Sequence, residues 1–271
     1  MYSESVTPVE AAEAADGRLR RIGTLTELRE HPPTAAELRR RAVVVDAAAA
    51  GDGATLDTVP ALFPWMEVWR DHVSYATGVW RCSVDEHEDD PLYTAYEARH
   101  LDFHTDMTRY LRPPEFTVIR CIARAVAGGA NLVVHVDDLF AELERRARTD
   151  LIAVLGEPRT LNMDERHRNV PGAGERASGV LAVPGRPDVP SRIFDPTAAT
   201  KAMHLDMSDA DIARYEEFRQ LCDELDNLSR RALLARHDVL AFSNWRFLHA
   251  RTACAGGRRV TEISMGNERS R

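Results

Sequence analysis

Leu101–Asp106 reads LDFHTD, and the fold of the chain turns on how this segment is read. On an extended backbone, side chains at i and i+2 project from the same face, so on such a segment His104 and Asp106 can reach one metal ion together. The residues that follow favour that setting. After Pro113-Pro114, the β-branched and apolar run Phe116–Ile122 predicts a strand, Gly128-Gly129 punctuates it, and Asn131–Val136 (NLVVHV) predicts a second strand. A hairpin or a closely spaced strand pair is expected from these two.

An imidazole and a carboxylate need one more ligand to complete a set. A facial triad of two histidines and one carboxylate suits iron(II) and leaves positions open for a bidentate cosubstrate and O₂. His249, just past a strand and the polar, turn-like Ser243-Asn244, is the best third ligand. Taken alone, an H-x-D is weak, because 10 histidines and 43 acidic residues make chance matches common. His204-Leu-Asp206 is such a match, lying just before a capped helix with no glycine-punctuated strand pair behind it. His87 sits in the acidic block Asp85–Asp90, where a solvated loop is expected.

The 271 residues, 44% of them hydrophobic, suffice for one large domain or two small ones. No apolar run approaches the roughly 18 residues of a membrane span, and the acidic N-terminus lacks a signal-peptide layout, so a soluble cytoplasmic protein is expected. A net charge of −8 argues against nucleic acid as a partner. Only Lys201 among 35 basic residues is a lysine, a bias that points to a GC-rich genome and not to a function. Cys82, Cys121, Cys222 and Cys254 show no C-x-x-C spacing, so buried free thiols are expected.

Residues 1–20 are unpatterned and are expected to be poorly structured, with a single domain over 21–271. Thr24 and Thr34 each precede a short helical pattern, and Glu37 completes a possible capping box with Thr34. Ala42–Asp46 reads as a strand. Residues of about 50–100 look loop-rich and lid-like. Asp138 could open a helix through roughly Ala147. Ser208 and Asp211 open a longer helix, a helical insertion of about 205–235, whose apolar members Ile212, Tyr215, Phe218, Leu221, Cys222, Leu225 and Leu228 keep a 3.6-residue period. Strands are expected again at Val239–Phe242 and Val260–Ser264.

The order of these signals carries a resemblance. Leu101–Asp106 (LDFHTD), Gly128–Val133 (GGANLV) and Asp238–Arg259 (DVLAFSNWRFLHARTACAGGRR) resemble the taurine dioxygenase-like (TauD/TfdA) branch of the iron(II)- and 2-oxoglutarate-dependent oxygenases. The resemblance covers about residues 25–265, with its sharp motifs in these segments. It implies a mainly β fold with flanking helices (α+β), a cupin-like double-stranded β-helix or jelly roll, with helices packed on one side and iron(II) in the barrel mouth. It also implies His104, Asp106 and His249 as iron ligands and Arg259 as partner of the distal carboxylate of 2-oxoglutarate. Asn131 would stand where the family usually has a threonine touching that carboxylate, and Ser243 where many members carry aspartate. Arg258 is the alternative to Arg259, although alternation along a strand sends neighbours to opposite faces. Related halogenases have a small residue at the carboxylate position, so Asp106 points to oxygenation.

The implied reaction consumes 2-oxoglutarate and O₂, releases succinate and CO₂, and hydroxylates a C–H bond of a small molecule. Desaturation, epoxidation and cyclisation are open to the same chemistry, and specialised-metabolite biosynthesis is the expected context. The substrate is less legible. The block Asp85–Asp90 over the barrel mouth would favour a cationic molecule, and a solvated loop is the competing reading. Arg251, two residues past His249, could face substrate or pack structurally. Trp65, Trp69, Tyr75, Trp80, Tyr93 and Tyr96 are core by default, with pocket-lining roles open to some. Two rival readings share the fold: a jelly-roll metalloenzyme that uses no 2-oxoglutarate, and a non-catalytic small-molecule-binding protein. A homo-oligomer is neither required nor excluded.

Overall fold

Buried β-branched runs build the frame. Ala42–Val45 is fully buried, as are Asn131–His135, Val239–Ser243 and Phe247–Arg251, so these strands are covered on both faces. The computed structural model describes residues 17–46, 62–70, 76–84, 98–108, 110–162, 176–193, 206–224 and 228–269. Its strands are β1 (Leu19–Ile22), β2 (Ala42–Val45), β3 (Met66–Val68), β4 (Trp80–Val84), β5 (Leu101–His104), β6 (Phe116–Ala123), β7 (Ala127–Gly128) and β8 (Asn131–His135). They continue as β9 (Arg159–Asn162), β10 (Arg176–Gly179), β11 (Arg230–Ala232), β12 (Val239–Ser243), β13 (Phe247–Arg251), β14 (Cys254–Ala255) and β15 (Arg259–Glu268). Helices α1 (Leu25–Glu30), α2 (Ala35–Leu38), α3 (Val136–Arg145), α4 (Thr149–Gly156) and α5 (Asp209–Glu224) complete the set.

The seven-stranded major sheet runs β1-β2-β12-β6-β15-β3, with β4 also paired to β15, and the four-stranded minor sheet runs β11-β8-β13-β5. All these pairings are antiparallel except β1 with β2. Between the sheets, Ile119, Cys121, Leu240 and Phe242 meet Val133 and Phe247. This is the jelly roll expected of a mainly β chain with flanking helices.

Helices cover both outer faces, not one. Leu28 of α1 with Ala35 and Leu38 of α2 packs behind the major sheet on Val43, Val45, Phe116 and Val118. Leu139, Leu143, Leu151, Leu155, Tyr215 and Phe218 of α3 to α5 pack behind the minor sheet on Leu132, Val134, Leu248 and Ala250. Thr24 and Thr34 cap α1 and α2 by accepting from the Glu27 and Glu37 amides at 3.1 Å. Ser208 and Asp211 form a reciprocal capping box at the start of α5.

Several expectations need correction. The strands β6 and β8 lie in different sheets and do not pair. Gly128 and Gly129, at φ 70° and 71°, carry the chain from one sheet to the other. A Cβ at Gly128 would stand 1.8 Å from the Ala253 carbonyl oxygen. Strand β1 begins inside residues 1–20, its order coming from pairing with β2 and from Arg20 reaching Glu37 at 3.1 Å. Strands β3 and β4 occupy part of the stretch read as loop, and β15 is twice the predicted length because β6, β3 and β4 all pair with it. Helix α5 ends at Glu224 and Arg230–Ala232 is a strand, so the helical insertion is shorter than expected. The block Asp85–Asp90, His204, Tyr75, Tyr93, Tyr96 and Leu225 lie outside the described residues. No helix among the described residues is long and apolar enough to cross a membrane.

Helix α3 starts two residues before Asp138, capped by a histidine. His135 Nδ1 accepts from the Asp137 amide at 3.1 Å while Nε2 sits 3.1 Å from the Arg39 carbonyl oxygen, an arrangement that requires the neutral ring. Burial holds its pKa down to about 4, against a partial upward pull from the Arg39 carbonyl. Below pH 6.5 an unfolded chain takes up a proton that the folded one refuses. His135 therefore contributes its full stability above pH 6.5 and loses it as pH falls towards 4, about 3 kcal/mol in all. Unfolding free energies of the parent and of His135→Asn are expected to diverge by about this amount between pH 7 and 4. Parallel curves would contradict the assignment.

Candidate metal centre

His104 ends β5 and His249 lies in the middle of β13, directly opposite in the antiparallel register. Phe103 on one strand, and Leu248 and Ala250 on the other, are held in the core behind the sheet, which turns both imidazoles to the interior. The rings stand 4.2 Å apart. His104 Nδ1 is 2.8 Å from the Asp102 carbonyl oxygen, which places its proton there and makes Nε2 the nitrogen that would ligate a metal. His249 Nε2 lies 3.3 Å from Asp106 Oδ2, and His104 Nε2 lies 3.7 Å from Asp106 Oδ1. Ligand atoms of all three residues fall within 4.8 Å of one another.

Asp106 lies just past β5, in a turn held from several sides. The Asn244 side chain, 1% exposed, accepts from the Asp106 amide at 2.8 Å and donates to the Asp106 and Pro114 carbonyls at 3.0 and 3.1 Å. Thr105 is stitched to Ser191 and Ile193 through backbone and hydroxyl. The buried Arg192 guanidinium donates to the carbonyls of Thr108, Tyr110 and Leu111. Sequence reasoning missed these supports. Arg192 offers no local signal, whereas Asn244 shows in the sequence as a polar residue amid an apolar run, a pattern that points only to a turn.

Burial pushes the Asp106 carboxyl upward, but the two imidazoles, His249 foremost, outweigh it and hold the group below the usual range. Burial, helped by the nearby His104, lowers His249 to about 4 against the pull of Asp106. The centre therefore presents a neutral His249 imidazole and a carboxylate, with His104 Nε2 turned towards the carboxylate. Among the described residues its buried His249 Nδ1 has no hydrogen-bond partner, and the convergent donors fit a divalent cation of the iron type.

Next to the triad, Arg251 of β13 faces Asn131 of β8, and Arg259 Nη2 donates to Asn131 Oδ1 at 3.1 Å. Among the described residues Asn131 Nδ2 is buried without a partner. Burial and the neighbouring Arg251 guanidinium both lower the pKa of Arg259, so two cations share this end of the barrel. Gly129 leaves room for them, because a Cβ there would meet Arg259 Cδ at 3.0 Å and Cys254 Sγ at 3.2 Å. Arg258, just before β15, is exposed and bonded to the Ser83 hydroxyl, whereas Arg259 is buried. Arg251 donates to the Arg99 carbonyl at 2.9 Å. The four cysteines are buried and free, as expected.

On the Asp106 side, Thr117 Oγ1 stands 3.5 Å from Asp106 Oδ2 and pairs across to Met265. Met265 packs with Trp69 and Tyr110, and with the half-buried Trp80, Met107 and Ile263. Trp65 is structural, its indole donating to the Pro33 carbonyl at 2.7 Å. Asp206 of the competing H-x-D is spent on the Thr160 amide at 2.9 Å.

Three structures of known proteins are similar to this one. The PvcB protein of Pseudomonas aeruginosa is 14% identical with a TM-score of 0.57, over 85% of this chain and 77% of that one. A putative alpha-ketoglutarate-dependent taurine dioxygenase from Burkholderia xenovorans is 14% identical with a TM-score of 0.55, over 89% and 82%. A taurine dioxygenase from the same organism is 15% identical with a TM-score of 0.56, over 90% and 87%. At these identities the likeness shows the fold. No curated protein sequence matches the chain. A family model, however, matches residues 14–263, nearly the whole length, and by it the chain belongs to the taurine catabolism dioxygenase TauD, TfdA family.

Proposed function

We propose that the chain is an iron(II)- and 2-oxoglutarate-dependent dioxygenase that hydroxylates a C–H bond of a small molecule and releases succinate and CO₂. The observation that carries this reading is the convergence of His104, Asp106 and His249 beside a buried cradle of donors from Arg259 and Asn131. His104, Asp106 and His249 would hold the iron, and Arg259 with Asn131 Nδ2 would grip the far carboxylate of 2-oxoglutarate. When bound, iron and cosubstrate supply O₂ activation coupled to oxidative decarboxylation, one oxygen atom passing to succinate and the other to the substrate. The protein's own part is positional. The Asp102 carbonyl sets the His104 tautomer, Asn244 fixes the backbone of Asp106, and Asp106 contributes the negative charge.

The substrate belongs on the Asp106 side, against Trp69, Tyr110, Met265 and the half-buried Trp80. We read it as a small molecule with a cationic group. An aromatic wall attracts a cation, and the acidic block Asp85–Asp90 follows directly on β4, the strand of Trp80. A role in specialised-metabolite biosynthesis is part of the same proposal.

The test is anaerobic addition of iron(II) and 2-oxoglutarate. A weak visible charge-transfer band is expected in the parent and none in His104→Ala, followed in air by succinate release that cationic compounds stimulate more than anionic ones. A parent without the band would refute the iron and 2-oxoglutarate reading, and stimulation by anions alone would refute the substrate class.

A further inference from the structure

The face of the minor sheet opposite the metal centre carries helix α5, and a polar connection runs from that helix to a candidate ligand. Tyr215, Phe218, Leu221 and Cys222 seat α5 in the core behind the sheet, against β5. At the edge of that seat the Arg219 guanidinium, 17% exposed, forms an ion pair with the Asp102 carboxylate. The Asp102 carbonyl is the acceptor for His104 Nδ1 at 2.8 Å.

The strand between these contacts is irregular. Across the β5–β13 ladder, His249 and Arg251 are two positions apart, while their partners His104 and Leu101 are three apart. Strand β5 therefore holds one residue more than its partner, a bulge at Asp102–Phe103. A bulge re-aims a side chain and bends its strand locally. In a regular strand Asp102 and His104 would project alike. Here the Asp102 carboxylate instead reaches Arg219 on the helix, with His100 Nε2 3.8 Å away, while its carbonyl turns to the His104 ring.

We infer that Arg219 is a positioning residue for the metal centre: by holding the Asp102 carboxylate it fixes the bulge, and through the Asp102 carbonyl it fixes the tautomer and ring orientation of His104. This rests on the reading of His104, Asp106 and His249 as the metal ligands. Groups that orient a ligand histidine through its second nitrogen commonly change metal affinity by about 10–100-fold. A helix that sequence reasoning treats as an insertion thereby becomes part of the metal site's support.

The probe is Mn(II), titrated into the full-length protein and followed by the EPR signal of the free ion, with far-UV circular dichroism as the check on folding. The Mn(II) dissociation constant is expected to rise about 10-fold or more in Arg219→Ala and in Asp102→Asn. The double variant should be no weaker than the worse single one, because both act through one contact. Arg219→Lys, which keeps the charge, should stay within about 3-fold of the parent. Arg148→Ala removes a different tie to the same helix, at Glu217, and should leave Mn(II) affinity unchanged. Parent-like affinity in Arg219→Ala and Asp102→Asn would overturn the inference, as would equal losses in Arg148→Ala. If Arg219→Ala fails to fold, Asp102→Asn and Arg219→Lys decide the matter. A parent that binds Mn(II) no better than His104→Ala would instead remove the metal reading itself.

Discussion

Asp106→Asn is expected to raise the dissociation constant of the metal by more than about 100-fold, beyond the range produced by groups that merely support a ligand. Turnover of 2-oxoglutarate should fall to background with it. The amide keeps the shape of the carboxylate, and the contacts that hold this turn do not use its charge. Asn244 binds the Asp106 backbone at 2.8 and 3.0 Å, Thr105 is tied to Ile193, and Arg192 holds the carbonyls beyond. What the substitution removes is the only acidic group in a set whose other members are imidazoles. A divalent ion then faces a partly buried site with no counter-charge. In the metal-free protein the fold still favours the charged carboxylate, since the imidazoles outweigh burial and hold Asp106 below its usual range. The apoprotein midpoint should therefore fall in the variant, the sign expected when a group whose charged form the fold favours is neutralised. Equilibrium dialysis and calorimetry of the same sample check both halves. Parent-like metal affinity in the variant would exclude Asp106 as a ligand.

The local chemistry of this site was legible in the sequence, and its long-range supports were not. His104 and Asp106 announce themselves through their i, i+2 spacing, although only His104 lies in β5 and Asp106 falls in the turn past it. Arg258 lies just outside β15, so burial and not alternation sets it apart from Arg259. Thr24, Thr34 and Ser208 mark helix starts because a capping hydroxyl acts within three residues of its partner. His249 was placed beyond a strand when it sits within one, because Phe247–Arg251 mixes polar and apolar residues that are all buried. Periodicity fails where both faces of a strand are covered. Pairing was harder still. The glycine-punctuated run suggested a hairpin, yet β6 finds its partners in β12 and β15, far along the chain, and sequence spacing carries no information about that choice. The same holds for Asn244 on Asp106, Arg192 on the following turn and Arg219 on Asp102, contacts spanning 138, 82 and 117 positions. Each is a polar group satisfied across the fold, and nothing near it in the sequence names its partner.

Arg259→Met is expected to weaken 2-oxoglutarate binding by about 100-fold or more while leaving metal affinity intact. The guanidinium is 6% exposed at the end of β6 and β15, and burial together with Arg251 disfavours its charge. Among the described residues no carboxylate pairs with it, and its hydrogen bond goes to Asn131 Oδ1. That bond leaves Asn131 Nδ2 as a second buried donor beside it. Donors in excess at a dry site call for an anion, and removing one partner of a buried charge pair costs about 3–5 kcal/mol, at least 100-fold in affinity. Without ligand the sign reverses. A group whose pKa is lowered by folding opposes the folded state in its charged form, so the uncharged methionine should hold or raise the midpoint of the ligand-free protein. The one offset is the hydrogen bond lost to Asn131, about 1 kcal/mol. Saturating 2-oxoglutarate at 100 times its dissociation constant should stabilise the parent by about 2.7 kcal/mol and the variant by almost nothing. Arg259→Lys should recover only part of this, because a point charge cannot reproduce a planar two-bond grip on a carboxylate. Thermal scans with and without 2-oxoglutarate, on samples holding equal metal, separate the cases. An undiminished ligand-induced shift in Arg259→Met would favour a jelly-roll metalloenzyme whose cosubstrate, if it has one, is held elsewhere.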